Sequence, residues 1–185
     1  MENKEDLFLL KKILNGLGWL AKTTYRYQDE TYPNWKYFYF FFYQRILFFN
    51  FHVPWPCHPT SVITSPSRIK IGIKTSPGSG PNQYIQGENG IVIGNNVQIG
   101  ASVSIISANH DLSDFDKHLT SDPIFIGNDV WIGCNSVILP GVRIGNNVVI
   151  GAGSIVTKSI PDNSIAFGNP CKVVRMKQSY KEDEK

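Results

Sequence analysis

Cysteine is scarce in this chain, three among 185 residues. Cys57, Cys134 and Cys171 are far apart and odd in number, which excludes a disulfide framework and a Cys-x-x-Cys metal knuckle. Reduced thiols in a cytoplasmic protein are the expectation. Charge of one sign is also missing. Eighteen Lys and Arg stand against 15 Asp and Glu, a formal net charge of +3. That is too mild for a nucleic-acid partner, yet it tolerates an anionic ligand. Long hydrophobic runs are absent too. The most apolar stretch, Tyr37–Phe51 (YFYFFFYQRILFFNF), is interrupted by Gln44 and Arg45. It falls short of the roughly 20 residues a spanning helix needs. Packing against the rest of the protein or a second subunit is its expected use. One arginine is no basic face, which argues against a membrane contact. The opening MENKED is charged, and no small-residue cleavage site follows a short apolar core, so no signal peptide is expected.

What is present divides into two textures. Residues 1–58 are rich in Lys, Leu and aromatics and poor in Gly. Leu7, Leu10, Ile13, Leu14, Leu17 and Leu20 recur at helical spacing, which predicts a helix near 5–21. Pro33 breaks that pattern. The aromatic run follows, and Pro54, Pro56 and Pro59 end it. Residues 59–175 form the second texture, short β-branched stretches punctuated by Gly-Asn. The tail 176–185 carries mixed charge and is expected to fray.

The second texture has a period. Ile93, Ile99 and Ile105 are six apart, as are Ile126, Ile132, Ile138, Ile144, Ile150 and Val156. Gly follows most of them, often with Asn or Asp beyond, as in Gly127-Asn128-Asp129. A six-residue unit is too short for a helix that buries a stripe. Two or three extended residues plus a tight bend fit it, and Gly, Asn and Asp tolerate the positive φ of such bends. Three units make a triangular coil, and successive coils pair as parallel strands about 4.8 Å apart. Ile63, Ile69, Ile71, Ile73, Ile85 and Ile91 suggest less regular initial coils. The phase breaks once, between Ile105 and Ile126. The insertion, residues 107–123 (SANHDLSDFDKHLTSDP), is polar and carries two histidines and four aspartates. A long loop interrupting a regular solenoid points to function.

The stretches IGNNVQIGASVSIISANHD (93–111), IGNDVWIGCNSVILPGVRIGNNVVIGAGSIVTKSIP (126–161) and GNPCKVV (168–174) resemble the hexapeptide-repeat acyltransferases. Within them, the chain is similar to the galactoside and maltose O-acetyltransferases and to polysaccharide O-acetyltransferases. The resemblance covers about residues 60–175. It implies an all-β fold, a left-handed parallel β-helix of hexapeptide repeats behind a short N-terminal helical and aromatic segment. The usual crossover rule would give right-handed connections, so the hand rests on the resemblance. A homotrimer with acyl-CoA between adjacent prisms is implied as well.

His110 is the expected catalytic residue. Acyl transfer to a hydroxyl needs the hydroxyl proton removed, which suits an imidazole. In similar enzymes the base follows an Ile-Gly-Asx-Asn unit, here Ile93-Gly94-Asn95-Asn96, at about this distance. Asp111 and Asp114 are candidates to orient the imidazole or bind acceptor hydroxyls, with ordinary solvated carboxylates as the alternative. His118 and Asn89 are further acceptor candidates. Trp131 precedes an inward Ile and should point out of the prism. Its match in the family lines the acyl-CoA cleft, and pure trimer packing is the alternative. Cys134 stands where relatives carry a small residue against the pantetheine arm and is read as a space-filler. Ala152 and Thr157 match positions that hold pantetheine amides. Lys158, Lys172 and Arg175 match basic positions near the CoA phosphates, and Arg143 adds to that patch. The same solenoid supports zinc chemistry elsewhere, which needs three convergent imidazoles. The four histidines do not offer them, so no metal is expected.

The expected activity is acetyl-CoA-dependent O-acetylation of a sugar or saccharide hydroxyl by direct transfer in a ternary complex. The alternatives are N-acetylation of an amino sugar or nucleotide sugar, and a binding solenoid without catalysis.

Overall fold

The computed structural model describes residues 4–25 and 32–177. The tail beyond Lys177 and the Leu7 side chain lie outside the described residues. Helix α1 spans Lys4–Lys22 and α2 spans Asn34–Phe41, with a π-helical turn at Phe42–Ile46 prolonging α2. The two helices pack on each other, though not through the leucine stripe of α1. A Cβ on Gly18 would lie 1.7 Å from the Asn34 carbonyl oxygen. Backbones this close require glycine. Gly18 and Ala21 therefore face α2, while Leu10, Ile13, Leu17 and Leu20 are exposed.

The aromatic run is only partly buried. Tyr37, Phe40 and Gln44 are inside, but Phe42, Ile46, Leu47, Phe48, Phe49 and Phe51 are exposed. Gln44, which interrupts the run in sequence, is a buried clip between helices and solenoid. Its Oε1 accepts from the Tyr25 hydroxyl at 3.0 Å and the Cys57 amide at 2.9 Å. Its Nε2 donates to the Trp55 carbonyl at 3.2 Å. A buried amide with every group engaged is a specific joint, since leaving any one unpaired costs about 1–3 kcal/mol.

The solenoid begins with β1 (Val62–Thr64), β2 (Ile69–Ile71) and β3 (Tyr84–Gln86). Three complete coils follow. They are β4 (Ile91–Ile93), β5 (Gln98–Ile99) and β6 (Ser104–Ile106); then β7 (Ile124–Ile126), β8 (Trp131–Ile132) and β9 (Val137–Ile138); then β10 (Arg143–Ile144), β11 (Val149–Ile150) and β12 (Ile155–Val156). Strands β13 (Ser164–Phe167) and β14 (Lys172–Met176) close the lower end as an antiparallel pair. All other strand-to-strand pairings among the described residues are parallel. They build a three-sided prism with faces β1-β3-β6-β9-β12 (first), β2-β4-β7-β10 (second) and β5-β8-β11-β13-β14 (third).

The isoleucine ladder explains the prism. Ile85 pairs with Ile105 and Ile105 with Ile138; Ile91 pairs with Ile124; Ile99 pairs with Ile132. Their side chains stack into one core that also takes in Val53, Trp55 and Cys57 as a plug at the upper end. Of the initial-coil isoleucines, 63, 69, 85 and 91 are buried and Ile71 is half-buried, but Ile73 is 69% exposed. Ile73 follows the end of β2, where the chain has turned outward, so it leaves the ladder. At the corner between second and third faces, Asn96, Asp129, Asn147 and Asn163 all have positive φ. A second column beside them is tied coil to coil. The Asn95, Asn128 and Asn146 amides donate to the side-chain oxygens of Asn128, Asn146 and Asp162 at 2.8, 2.9 and 2.7 Å. The glycine before each column permits the stacking, since a Cβ on Gly127 would sit 2.7 Å from the Gly145 carbonyl carbon.

Candidate active site

The phase break becomes a loop at the corner between first and second faces. Phe125 pairs with Arg143 eighteen residues on, but Ile91 reaches its partner Ile124 only after thirty-three. The surplus folds back as a short antiparallel arm. The Asp111 amide donates to the Lys117 carbonyl at 2.8 Å and the Leu119 amide to the Asn109 carbonyl at 2.7 Å. His110 and His118 face each other across it, ring centroids 4.5 Å apart.

Asn89 ties the base of this arm. Its Nδ2 donates to the Ser107 carbonyl at 2.9 Å, the Leu119 carbonyl at 2.8 Å and the Ser121 hydroxyl at 3.0 Å. Both ends of the insertion thus hang on one side chain. Only its carbonyl oxygen remains for an acceptor. Asp111 accepts from the Ser113 hydroxyl and amide at 2.6 and 2.7 Å, and those bonds hold its carboxyl below the usual range. Asp114 pairs with Lys117 at 2.7 Å. Neither carboxylate orients the imidazole.

That task falls to the Phe115 carbonyl, 2.6 Å from His110 Nδ1. A carbonyl only accepts, so Nδ1 must carry the proton. In the neutral ring Nε2 then holds the lone pair, and His110 is exposed. The orienting group is a backbone atom, so no side-chain signal in the sequence could have named it.

The remaining candidates sit elsewhere on the prism. Trp131 stands on the third face between Gln98 and Val149, 58% exposed. It lines a groove of about 700 Å³ with Asn96, Asp129 and Lys177. Cys134 and Ala152 stack at the corner between third and first faces, where the Gly153 amide donates to the Cys134 carbonyl at 2.8 Å. Both are exposed. Thr157 and Lys158 follow β12 at the corner that carries the His110 arm, further down the prism. Lys172 and Arg175 are exposed on β14, paired with Phe167 and Ile165. Arg143 covers the Phe125 ring at 4.0 Å, one coil below the arm. Within one chain, His110 and Trp131 therefore occupy a corner and the face opposite it. Among the described residues, no cluster of three or more His, Cys, Asp or Glu could hold a metal.

The bacterial transferase hexapeptide family (six repeats) matches residues 123–158. The galactoside O-acetyltransferase of Lactococcus lactis subsp. lactis (strain IL1403) is 46% identical over 97 residues, 51% of this chain and 47% of that protein. A solved galactoside acetyltransferase in complex with coenzyme A is 40% identical, with a TM-score of 0.61, over 71% of this chain and 68% of its own. The chain belongs to the hexapeptide-repeat acetyltransferase family. As in that family, the prism is a left-handed β-helix. A hexapeptide-repeat acetyltransferase of Vibrio cholerae O1 biovar eltor, complexed with acetyl coenzyme A, is 25% identical with a TM-score of 0.55. It covers 91% of this chain and 89% of that one, so that family member also matches across most of the N-terminal segment. The matched stretch spans about half the length of the curated relatives. No helix among the described residues is long and apolar enough to cross a membrane.

Proposed function

We propose that this protein transfers the acetyl group of acetyl-CoA to a hydroxyl of a sugar or saccharide, with His110 as general base. The observation that carries this reading is the His110 Nδ1 contact to the Phe115 carbonyl, which leaves Nε2 free to take a proton. Acetyl-CoA supplies an acetyl group activated as a thioester. Nε2 removes the acceptor hydroxyl proton as its oxygen attacks the thioester carbonyl. The same imidazolium then returns the proton to the leaving sulfur, so both substrates are held together and no acyl-enzyme forms. A backbone N–H directed at the carbonyl oxygen stabilises the developing oxyanion.

The donor fits the flank of the prism. Cys134 and Ala152 form a low wall on which an extended amide chain can lie, and Trp131 offers a flat apolar surface beside it. Lys158, Lys172 and Arg175 supply cations for phosphates. Because His110 and Trp131 diverge within one chain, a complete site needs a second copy, the arm of one prism meeting the flank of the next. This supports a homotrimer with three equivalent sites.

The test is incubation with acetyl-CoA and a panel of sugars and oligosaccharides, with mass detection of the product. Base-labile acetylation is expected for an ester. A base-stable product would establish N-acetylation instead. CoA well above its Kd should also raise the melting temperature, equivalent to roughly 3–4 kcal/mol at 100–1,000 times Kd. No shift would overturn the enzymatic reading in favour of a binding solenoid.

A further inference from the structure

A second concavity lies outside everything described so far. It occupies about 410 Å³ where α2 meets the upper end of the prism. Tyr32, Trp35, Lys36 and Tyr39 approach it from the helix side, and His58 and Ser79 from the solenoid side. On α2, Trp35 and Lys36 stand four and three residues before Tyr39, so both adjoin it on the helix surface, and Tyr32 precedes the helix. Trp35 is 48% exposed. The Tyr39 hydroxyl lies 3.3 Å from His58 Nε2, and the Tyr32 hydroxyl 2.7 Å from Ser79 Oγ. These bonds lock two aromatic walls in place. Thr60 engages His58 Nδ1 through its hydroxyl at 2.9 Å and its amide at 3.2 Å, so both ring nitrogens are used and hydroxyls form the polar edge of the cavity.

The charge balance among the described residues is one-sided. Lys36 Nζ sits 4.8 Å above the Tyr32 ring, and no carboxylate of the described residues lines the cavity. Burial lowers the pKa of His58, which favours the neutral ring at physiological pH. Among the described lining residues Lys36 is thus the one full charge, and it is positive. Flat aromatic rings present apolar surface to the C–H faces of a pyranose, and hydroxyl edges suit its hydroxyls. An unpaired ammonium suits a carboxylate.

Position connects the cavity to the chemistry. Residues 79–81 and Ile99 form its lower wall. The Pro81 carbonyl accepts from Ser102, the Ala101 carbonyl from Asn135, and the Cys134 carbonyl from Gly153. The cavity therefore crowns the same corner that holds Cys134 and Ala152 two and three coils below Pro81.

We propose that this cavity is a subsite for an acidic sugar unit of the acceptor, with Trp35 and Tyr39 against the ring and Lys36 on its carboxylate. The inference rests on the acetyl-transfer reading, and it names the acceptor class that reading leaves open. A saccharide docked here extends down the corner toward the thioester end of the donor, where the neighbouring copy's arm brings its imidazole.

The test uses the full chain and two probes, galacturonate and galactose, titrated by calorimetry. Galacturonate is expected to bind at least about tenfold more tightly than galactose. Trp35→Ala should weaken both sugars, and Lys36→Met should abolish the preference for the acid while sparing galactose. CoA-induced thermal stabilisation should be unchanged in both variants. Stabilisation by CoA with no acid preference, or with equal binding to wild type and Trp35→Ala, overturns the subsite alone. Absence of CoA stabilisation instead overturns the parent reading. A galacturonate affinity that survives Lys36→Met would also sink the proposal, because the charge argument would then be void.

Discussion

The stacked coils and the arm that interrupts them are made by opposite rules. In the coils nearly every sixth residue is a buried Ile or Val, the corner between second and third faces repeats its Gly-Asn chemistry, and the backbone pairs with the coil above and below. In the arm almost every side chain is exposed or half-buried, and order comes from a few specific hydrogen bonds anchored on Asn89. Repetition supplies stability, and its interruption carries the imidazole proposed as the base. The difference implies that damage to the coils should appear in folding, and damage to the arm in turnover.

The largest expected effect is in the coils. Ile132→Ala removes a fully buried rung and should cost about 2–5 kcal/mol of stability, read as a lower denaturation midpoint. A loss well under 1 kcal/mol would show that the ladder does not carry the fold. Asn89→Ala should do the reverse. Turnover should fall about tenfold or more, because the base is no longer held in place, while the melting temperature stays near wild type. Faster amide exchange at Leu119 would mark the loosened arm, and exchange as slow as in wild type would refute the anchor.

The thiols sharpen the contrast between core and surface. Burial pushes Cys57 up to about 12, so at pH 8 iodoacetamide should label exposed Cys134 and spare Cys57. A raised folded-state pKa means that the thiol's stabilising contribution is intact below its ordinary value of about 8.5 and fades above it. Stability should therefore decline on the alkaline side, and rapid labelling of Cys57 would contradict the plugged upper end. The smallest effect belongs to Asp111. Its carboxyl is held low by Ser113, so its support for the arm is full above the ordinary value of about 3.9 and disappears as pH falls below it. Ser113→Ala should move that loss toward higher pH, as seen in the Asp111 carboxyl resonance. An unmoved titration would remove Ser113 from the account.

The prism was legible in the sequence because a continuous ladder forces one residue type to recur at a fixed interval. The insertion was legible for the same reason, as the place where that interval fails. His110 followed from the interruption together with the family motif. The rest depended on atoms and contacts that sequence does not encode locally. The Phe115 carbonyl that fixes the imidazole is a backbone group. The α1–α2 contact uses Gly18 and Ala21, so a reading by hydrophobic periodicity assigns the contact to the apolar stripe, of which Leu10, Ile13, Leu17 and Leu20 are exposed. Gln44 interrupts an apolar run yet is a buried joint, because its partners come from Tyr25, Trp55 and Cys57. The aromatic cavity joins residues near 32–39 to His58 and Ser79, a convergence only the tertiary fold creates.

The most direct test of the account is the turnover of His110→Ala with acetyl-CoA and an accepted sugar, measured beside its melting temperature and its stabilisation by CoA. The account predicts a loss of at least ~10²-fold in kcat with both thermal readouts unchanged. Near-normal turnover in a well-folded, CoA-binding variant would contradict it.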